Sequence, residues 1–322
     1  LLNIVIYVCI FLVCAAVLIG CFYLLFVKKY PVHKVFLITG SAIAFISLII
    51  NNPGIIPDEP AHLSNTYLWS NRLLWIPETK SGQQYIDIYK TYESYIREED
   101  AEGIQKIVRS TSTYEEITGS FRLFGSPEGE KLVPYQFIDL NVSPAAYFPA
   151  VLGITLARLL HLGCVPMLYL GKLFMMAFYI LGIYWSIKRM PFGKITMFII
   201  AMLPMCIHLA PSFSYDSVII TFAMIVTAQI MYLAYGEIKK IGIGEAVLCG
   251  ALIFLFVPLK VTAYLPMAFL FWLVPKSKFK NSGQYVIFCS AMLFNRRCRH
   301  IRNELINFSS VSYGHGIYQH VC

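Results

Sequence analysis

The sequence predicts an all-α polytopic integral membrane protein with one large polar loop, and three observations lead there. Of its 322 residues 57% are hydrophobic and only 14% are charged, where a soluble domain carries about a quarter charged residues. Apolar runs close to the roughly 20 residues needed to cross a bilayer core recur along it. Lys and Arg gather between those runs, as they do in cytoplasmic loops. The net charge of +8 is therefore a topology signal, and no nucleic-acid partner is expected. None of the nine cysteines forms a C-x-x-C pair and none falls within 51–143, so they read as small apolar packing residues.

The first run, 4–27, is too long for a signal-peptide core and is followed by Lys28 and Lys29. Residues 1–34 are read as an extra N-terminal transmembrane helix with its cytoplasmic loop, and 35–50 as the next span. Residues 51–167 form an external loop with juxtamembrane helices. Residues 168–294 form a transmembrane helix bundle, with spans at 168–187, 195–210, 218–235, 246–259 and 261–274. An eighth run starts near Tyr285 and stops at Asn295. The tail 295–322 is basic and aperiodic; it reads as a frameshift or truncation product, with a short cytoplasmic tail as the alternative. The chain begins without Met and is expected to be truncated.

Orientation follows from the basic clusters Lys28/Lys29/Lys34, Lys188/Arg189/Lys194, Lys239/Lys240 and Lys276/Lys278/Lys280. If all are cytoplasmic, the spans alternate and the long loop lies outside. Residues 51–143 hold 14 of the 18 acidic residues against 8 Lys plus Arg, which long translocated segments tolerate. The alternation requires that 145–160, which contains Pro149 and Arg158, not cross the membrane. It is read as a juxtamembrane or re-entrant helix, with a true span as the rival.

The loop opens with IPDEPAHLSNTY. Pro53-Gly54 makes a turn, and Pro60 suits the first turn of a helix running from about Glu59 to Leu74. Asp58 and Glu59 then sit at its N-terminus, with His62 on their face. Two carboxylates and an imidazole just outside the membrane suit a general base or a divalent cation held by Asp58, Glu59 and His62. Simple capping is the competing explanation. Asp216, in SYDS at the mouth of a later span, is a further acidic candidate or an N-cap. Lys260 interrupts an apolar run after Pro258; Lys172 and Arg158 fall near the same surface. These cations suit a phosphate, with snorkelling as the alternative. Tyr147, Phe148, Tyr169 and Tyr179 are read as an interfacial aromatic belt.

The segments IPDEPAHLSNTY, NVSPAAYFPAVLGITLARLLHL, YLGKLFMMAFYILGIYWSIKRMPFGK and LPMCIHLAPSFSYDS, in that order, resemble the bacterial membrane-protein family of domain-of-unknown-function 2142, over roughly residues 35–274. That family is similar in layout to GT-C glycosyltransferases, which take a sugar from a polyprenyl-phosphate carrier outside the membrane. The resemblance implies a GT-C-like helical bundle with a large external first loop. It implies Asp58, beside Glu59, as the base acting on an acceptor hydroxyl and Asp216 as a second external acid. Lys260 and Lys172 would neutralise the lipid phosphate, with His62 and Arg158 nearby. The implied partners are a polyprenyl-phosphate sugar donor, a surface glycan or lipid acceptor, and membrane lipids. The implied location is the bacterial cytoplasmic membrane, with loop 51–167 extracellular or periplasmic. The extra span 4–27 departs from the GT-C layout. A non-enzymatic transporter or flippase, or an assembly factor for lipid-linked glycans, is the alternative.

Overall fold

The computed structural model describes the chain except residues 1, 55, 57, 77–84, 91–97, 100–104, 107–113, 137–141, 257–258, 260–266, 268, 289 and 291–322. Lys260, the tail from Asn295 and half of the span expected at 261–274 lie outside the described residues. The chain divides into two compact units, Leu1–Gln229 and Ile230–Cys322.

Helices dominate the first unit. α1 (Leu2–Phe22) runs into a π-helical turn, Tyr23–Val27, and packs on α2 (Val32–Ile50). α3 (Glu59–Leu73) follows the loop. Next come strand β1 (Tyr85–Tyr89), the two-residue strands β2 (Glu98–Glu99) and β3 (Gln105–Lys106), α4 (Tyr114–Ser120) and β4 (Leu132–Gln136). β1 pairs antiparallel with β4, Tyr85 opposite Gln136 and Tyr89 opposite Leu132. These small ribbons and one isolated bridge between Phe124 and Leu162 are the only β structure among the described residues. α5 (Phe148–Leu159), α6 (Cys164–Arg189), α7 (Lys194–Ala201), α8 (Pro204–Leu209) and α9 (Tyr215–Tyr235) complete the unit, with α9 running past its boundary.

Among the described residues, three helices are long and apolar enough to cross a membrane: α2 with 19 residues, α6 with 26 and α9 with 21. Their ends follow from composition. α2 stops where Asn51, Asn52 and Pro53 replace aliphatic residues, and Asn51 is extended. α6 ends on Lys188 and Arg189 before Pro191. α2 buries one face, with Val35, Phe36, Thr39, Gly40, Ala44 and Leu48 turned inward, and packs along α6.

A single span over 195–210 does not form. α7 ends at Ala201 and α8 begins at Pro204, with Leu203 at φ −56°, ψ 138°. Proline has no N–H for the helix ladder and pushes the residue before it out of the α region. The Tyr179 hydroxyl donates to the Ala201 carbonyl at 2.7 Å, satisfying one orphaned acceptor at the break.

α5 is 12 residues long, about 18 Å at 1.5 Å per residue, and so does not cross a 30 Å core alone. It folds back on α6 as an antiparallel hairpin. Phe148 meets Phe178 edge-on at 5.3 Å, and Gly153 lies against Gly171. Phe148, Leu152, Leu156 and Leu159 stay exposed along its far face.

The second unit holds α10 (Ile243–Phe256), 14 residues where a span over 246–259 is expected, and 3-10 turns at Leu270–Leu273 and Lys276–Lys278. Ile241 N–H donates to the Lys278 carbonyl, and Lys240 Nζ donates to the Ser277 and Phe279 carbonyls. Phe279 packs on Tyr285 and Phe288, and Phe288 on Phe271.

The α5–α6 hairpin yields a test. A Cβ at Gly153 would stand 2.8 Å from Gly171 Cα and the Leu170 carbonyl, backbone atoms that cannot swing away. Gly153→Ala is expected to destabilise the purified protein by about 1–3 kcal/mol. Thermal unfolding in detergent reads this. Gly250→Ala, where a Cβ meets nothing within 4 Å, should leave the midpoint unchanged or slightly raised.

Candidate functional site

Between α2 and α3 the backbone turns twice in positive φ, at Gly54 (φ 91°) and at Asp58 (φ 61°). Glycine adopts the first without penalty; at the second, Asp is among the few side chains that tolerate it. Pro60 then sits in the first turn of α3.

Glu59, wholly buried, ties this loop to the rest of the bundle. Its Oε2 accepts N–H from Gly54 (2.7 Å) and Ile56 (3.4 Å), and its Oε1 accepts the Phe213 N–H (3.1 Å) from the turn before α9. Hydrogen bonds to a charged group are worth roughly 1.5–3 kcal/mol each. Lys172, also wholly buried, donates from Nζ to the Asn51 carbonyl at 2.5 Å, and Glu59 is the acid whose charge reaches it. The Asn51 amide donates to Ser47 Oγ (2.8 Å) and lies 3.0 Å from His208 Nδ1, which accepts when its proton is on Nε2. The ends of α2 and α8 and the flank of α6 are thus joined by polar bonds.

Asp58 behaves differently from its neighbour. Its backbone carbonyl accepts the His62 N–H at 3.1 Å, but its carboxylate is exposed, does not cap α3 and accepts no hydrogen bond among the described residues. Asp216 is likewise exposed. The α9 cap is Ser214, whose Oγ accepts the Asp216 N–H at 3.3 Å, so capping does not occupy the Asp216 carboxylate. Both acids lie close enough to His62 to act on its charge.

His62 is buried between aromatic rings. Its Nδ1 is 3.0 Å from the Tyr147 hydroxyl, and the Tyr215 ring meets it edge-on at 4.9 Å. Burial holds the imidazole below its ordinary value, with Asp216 and then Asp58 pulling the other way. Tyr147 and Tyr179 are both fully buried, so neither belongs to an interfacial belt. Each phenol found an interior partner, His62 for one and Ala201 for the other.

Arg158 is not part of this cluster. It comes from α5 and is buried against α3 two turns beyond His62, stacked on Tyr67 (4.2 Å) and Tyr89 (5.0 Å) and donating from Nη1 to Ser70 Oγ at 2.9 Å. Of the residues singled out in the sequence, Asp58, Asp216 and His62 come together, Glu59 and Lys172 lie buried beneath them, and Arg158 stands apart. Asp58, Glu59 and His62 do not converge as a ligand set, because Glu59 turns inward and spends both oxygens on amides. Among the described residues no group of three His, Cys, Asp or Glu is arranged to hold a metal ion. Tyr215, Asn51 and His208 are not singled out by the sequence, and Tyr147 enters it only as an expected belt residue. Tyr215 adjoins Asp216 in SYDS, which was a usable signal; the others are brought in only by helix packing.

The helices define an integral membrane protein of the helical class. The chain matches, over residues 37–295, the family described as "Predicted membrane protein (DUF2142)", and it belongs to that family. No curated protein and no solved structure matches it at a significant level.

The His62 environment predicts a pH dependence. With its folded value below the ordinary 6.5, the unfolded chain binds more protons, so stability rises with pH through that window. Unfolding followed between about pH 5 and 7 should show the native protein losing stability on acidification from near 6.5 downward. His62→Gln should flatten that part of the slope. An unchanged slope in the variant would locate the titration elsewhere.

Proposed function

We propose that the protein is an inverting glycosyltransferase of GT-C type. It takes a sugar from a polyprenyl-phosphate donor and passes it to a surface glycan or lipid outside the bacterial cytoplasmic membrane. The observation that carries this proposal is Asp58: an exposed carboxylate in left-handed backbone, relieved of capping, beside His62 and Asp216. Such conformations persist where surrounding structure enforces them, and they concentrate at functional sites. Charge supports the orientation. Lys34, Lys188 and Lys194 all lie close enough to His33 to act on it, so basic residues gather at the far end of α2 from Asn51, as the cytoplasmic end requires.

In this reaction the acceptor oxygen attacks the anomeric carbon from the face opposite the phosphate. The acceptor proton passes to Asp58 as the C–O bond forms. The bond to the phosphate oxygen breaks and its electron pair leaves with the phosphate. Asp216 orients a hydroxyl of donor or acceptor, and the charge developing on the leaving phosphate calls for a cation; Lys260, which the family resemblance offers for that role, lies outside the described residues. Glu59 and Lys172 act as positioning residues. A charge within a spanning helix, Lys172, is also what a transporter of lipid-linked glycans would use, although its ammonium is already engaged by Asn51.

Labelled-sugar transfer from polyprenyl-phosphate donors in membranes separates the two. Asp58→Asn should lower transfer by about 10²–10⁴-fold while the protein stays folded and inserted. Transfer at the native rate in that variant would remove Asp58 as the base. Donor movement across the bilayer without transfer would favour the transporter.

A further inference from the structure

Arg158 presents a second, separate chemistry. It lies in the last turn of α5, five residues before Gly163, the residue that precedes α6. The residue is 2% exposed, and its guanidinium is stacked on Tyr67 and Tyr89. Nη1 is held by Ser70, while Nε and Nη2 are buried without a hydrogen-bond partner. Nε–H and the adjacent Nη2–H form one edge of the guanidinium, the parallel pair of donors that meets two oxygens of a carboxylate or phosphate. No ion pair compensates the charge among the described residues.

A buried guanidinium with its fork unmatched is costly. The two rings supply attraction to the cation, but they supply no acceptor for those N–H groups. Everything except the oxyanion is therefore built: the plane is fixed by the rings, one nitrogen is pinned, and the fork is left to a ligand. Tyr89 belongs to the β1–β4 ribbon, docked on α3 by the Asn71 amide donating to the Asp87 carbonyl and by Tyr89 N–H donating to Tyr67 Oη. A two-stranded ribbon is marginal alone, so this wall is the one that yields to admit a ligand.

We propose that Arg158, with Tyr67, Tyr89 and Ser70, is the seat of a phosphate group, distinct from the Asp58 centre. The seat adjoins the end of a spanning helix, the level at which lipid phosphates lie. From His62 to Ser70 α3 rises by roughly 12 Å. That is too far for a phosphate leaving from a sugar whose acceptor contacts Asp58. The seat therefore holds another phosphate, free or carried on a lipid, and it stands whether or not sugar transfer is the activity.

The test is thermal unfolding of the full chain in nanodiscs of neutral lipid. Inorganic phosphate is titrated against chloride at equal ionic strength, and a parallel set of discs is doped with polyprenyl phosphate. A ligand that binds only the folded state raises the midpoint in a saturable way. A saturable rise of a few degrees is expected in one arm or both, and Arg158→Lys, which keeps the charge and loses the fork, should abolish it. A rise only with the doped discs assigns the phosphate to a lipid; a rise with inorganic phosphate shows that the headgroup chemistry suffices. Ser70→Ala, which releases Nη1 alone, should weaken the response several-fold and serves if Arg158→Lys does not fold. No saturable rise in the native protein in either arm, or an equal rise in Arg158→Lys, would overturn the proposal.

Discussion

One buried carboxylate organises the polar end of this bundle. Glu59 accepts three backbone N–H groups, two from the loop that leaves α2 and one from the turn that starts α9. One of those amides, Phe213, lies 154 residues along the chain from Glu59, and no other residue type of that length presents two carboxylate acceptor oxygens. A charge removed from water is tolerable only when it is matched in this way. Because Glu59 is pulled inward, the chain before it turns through left-handed backbone, and Asp58 is left facing outward. The asymmetry between two adjacent acids is thus a single event seen from both sides.

Around that anchor, opposite charges and aromatic rings fall into tiers. Lys172 and Asn51 join α6 to the end of α2, and His208 extends the join to α8. Above them His62 is packed between Tyr147 and Tyr215, within reach of the two exposed acids. Arg158, on α5, meets α3 two turns away at Ser70, among a different pair of tyrosines. α3 is the common element. It is polar in composition yet mostly buried, and it meets its own demands locally: Asn65 and Ser64 donate to the Ala61 carbonyl, and Thr66 to the His62 carbonyl. A buried polar helix with few loose ends is a rigid platform for side chains on two faces.

Much of this was legible in the sequence. Length of apolar run located α2, α6 and α9, because crossing a bilayer is a one-dimensional requirement. Pro60 and the acids before it located α3, expected over 59–74 and found over Glu59–Leu73. The division of labour between Asp58 and Glu59 was not legible, since it depends on the Phe213 amide far along the chain. Nor was the interior place of Tyr147 and Tyr179, because a phenol at a helix end suits an interface as well as a core until its partner is known. The break at Pro204 was in plain view; the apolar run over 195–210 outweighed it, although a missing N–H and a steric clash override hydropathy locally.

The most direct measurement of the Glu59 clamp is amide hydrogen exchange of the full chain in nanodiscs, native against Glu59→Gln. Gln keeps the size and one carbonyl oxygen but replaces the other acceptor with a donor. The account predicts that protection falls together at Gly54, Ile56 and Phe213, with α2 and α6 unaffected away from their ends. Retained protection at all three amides, or loss confined to one of the two segments, would contradict the clamp and with it the explanation of why Asp58 faces outward.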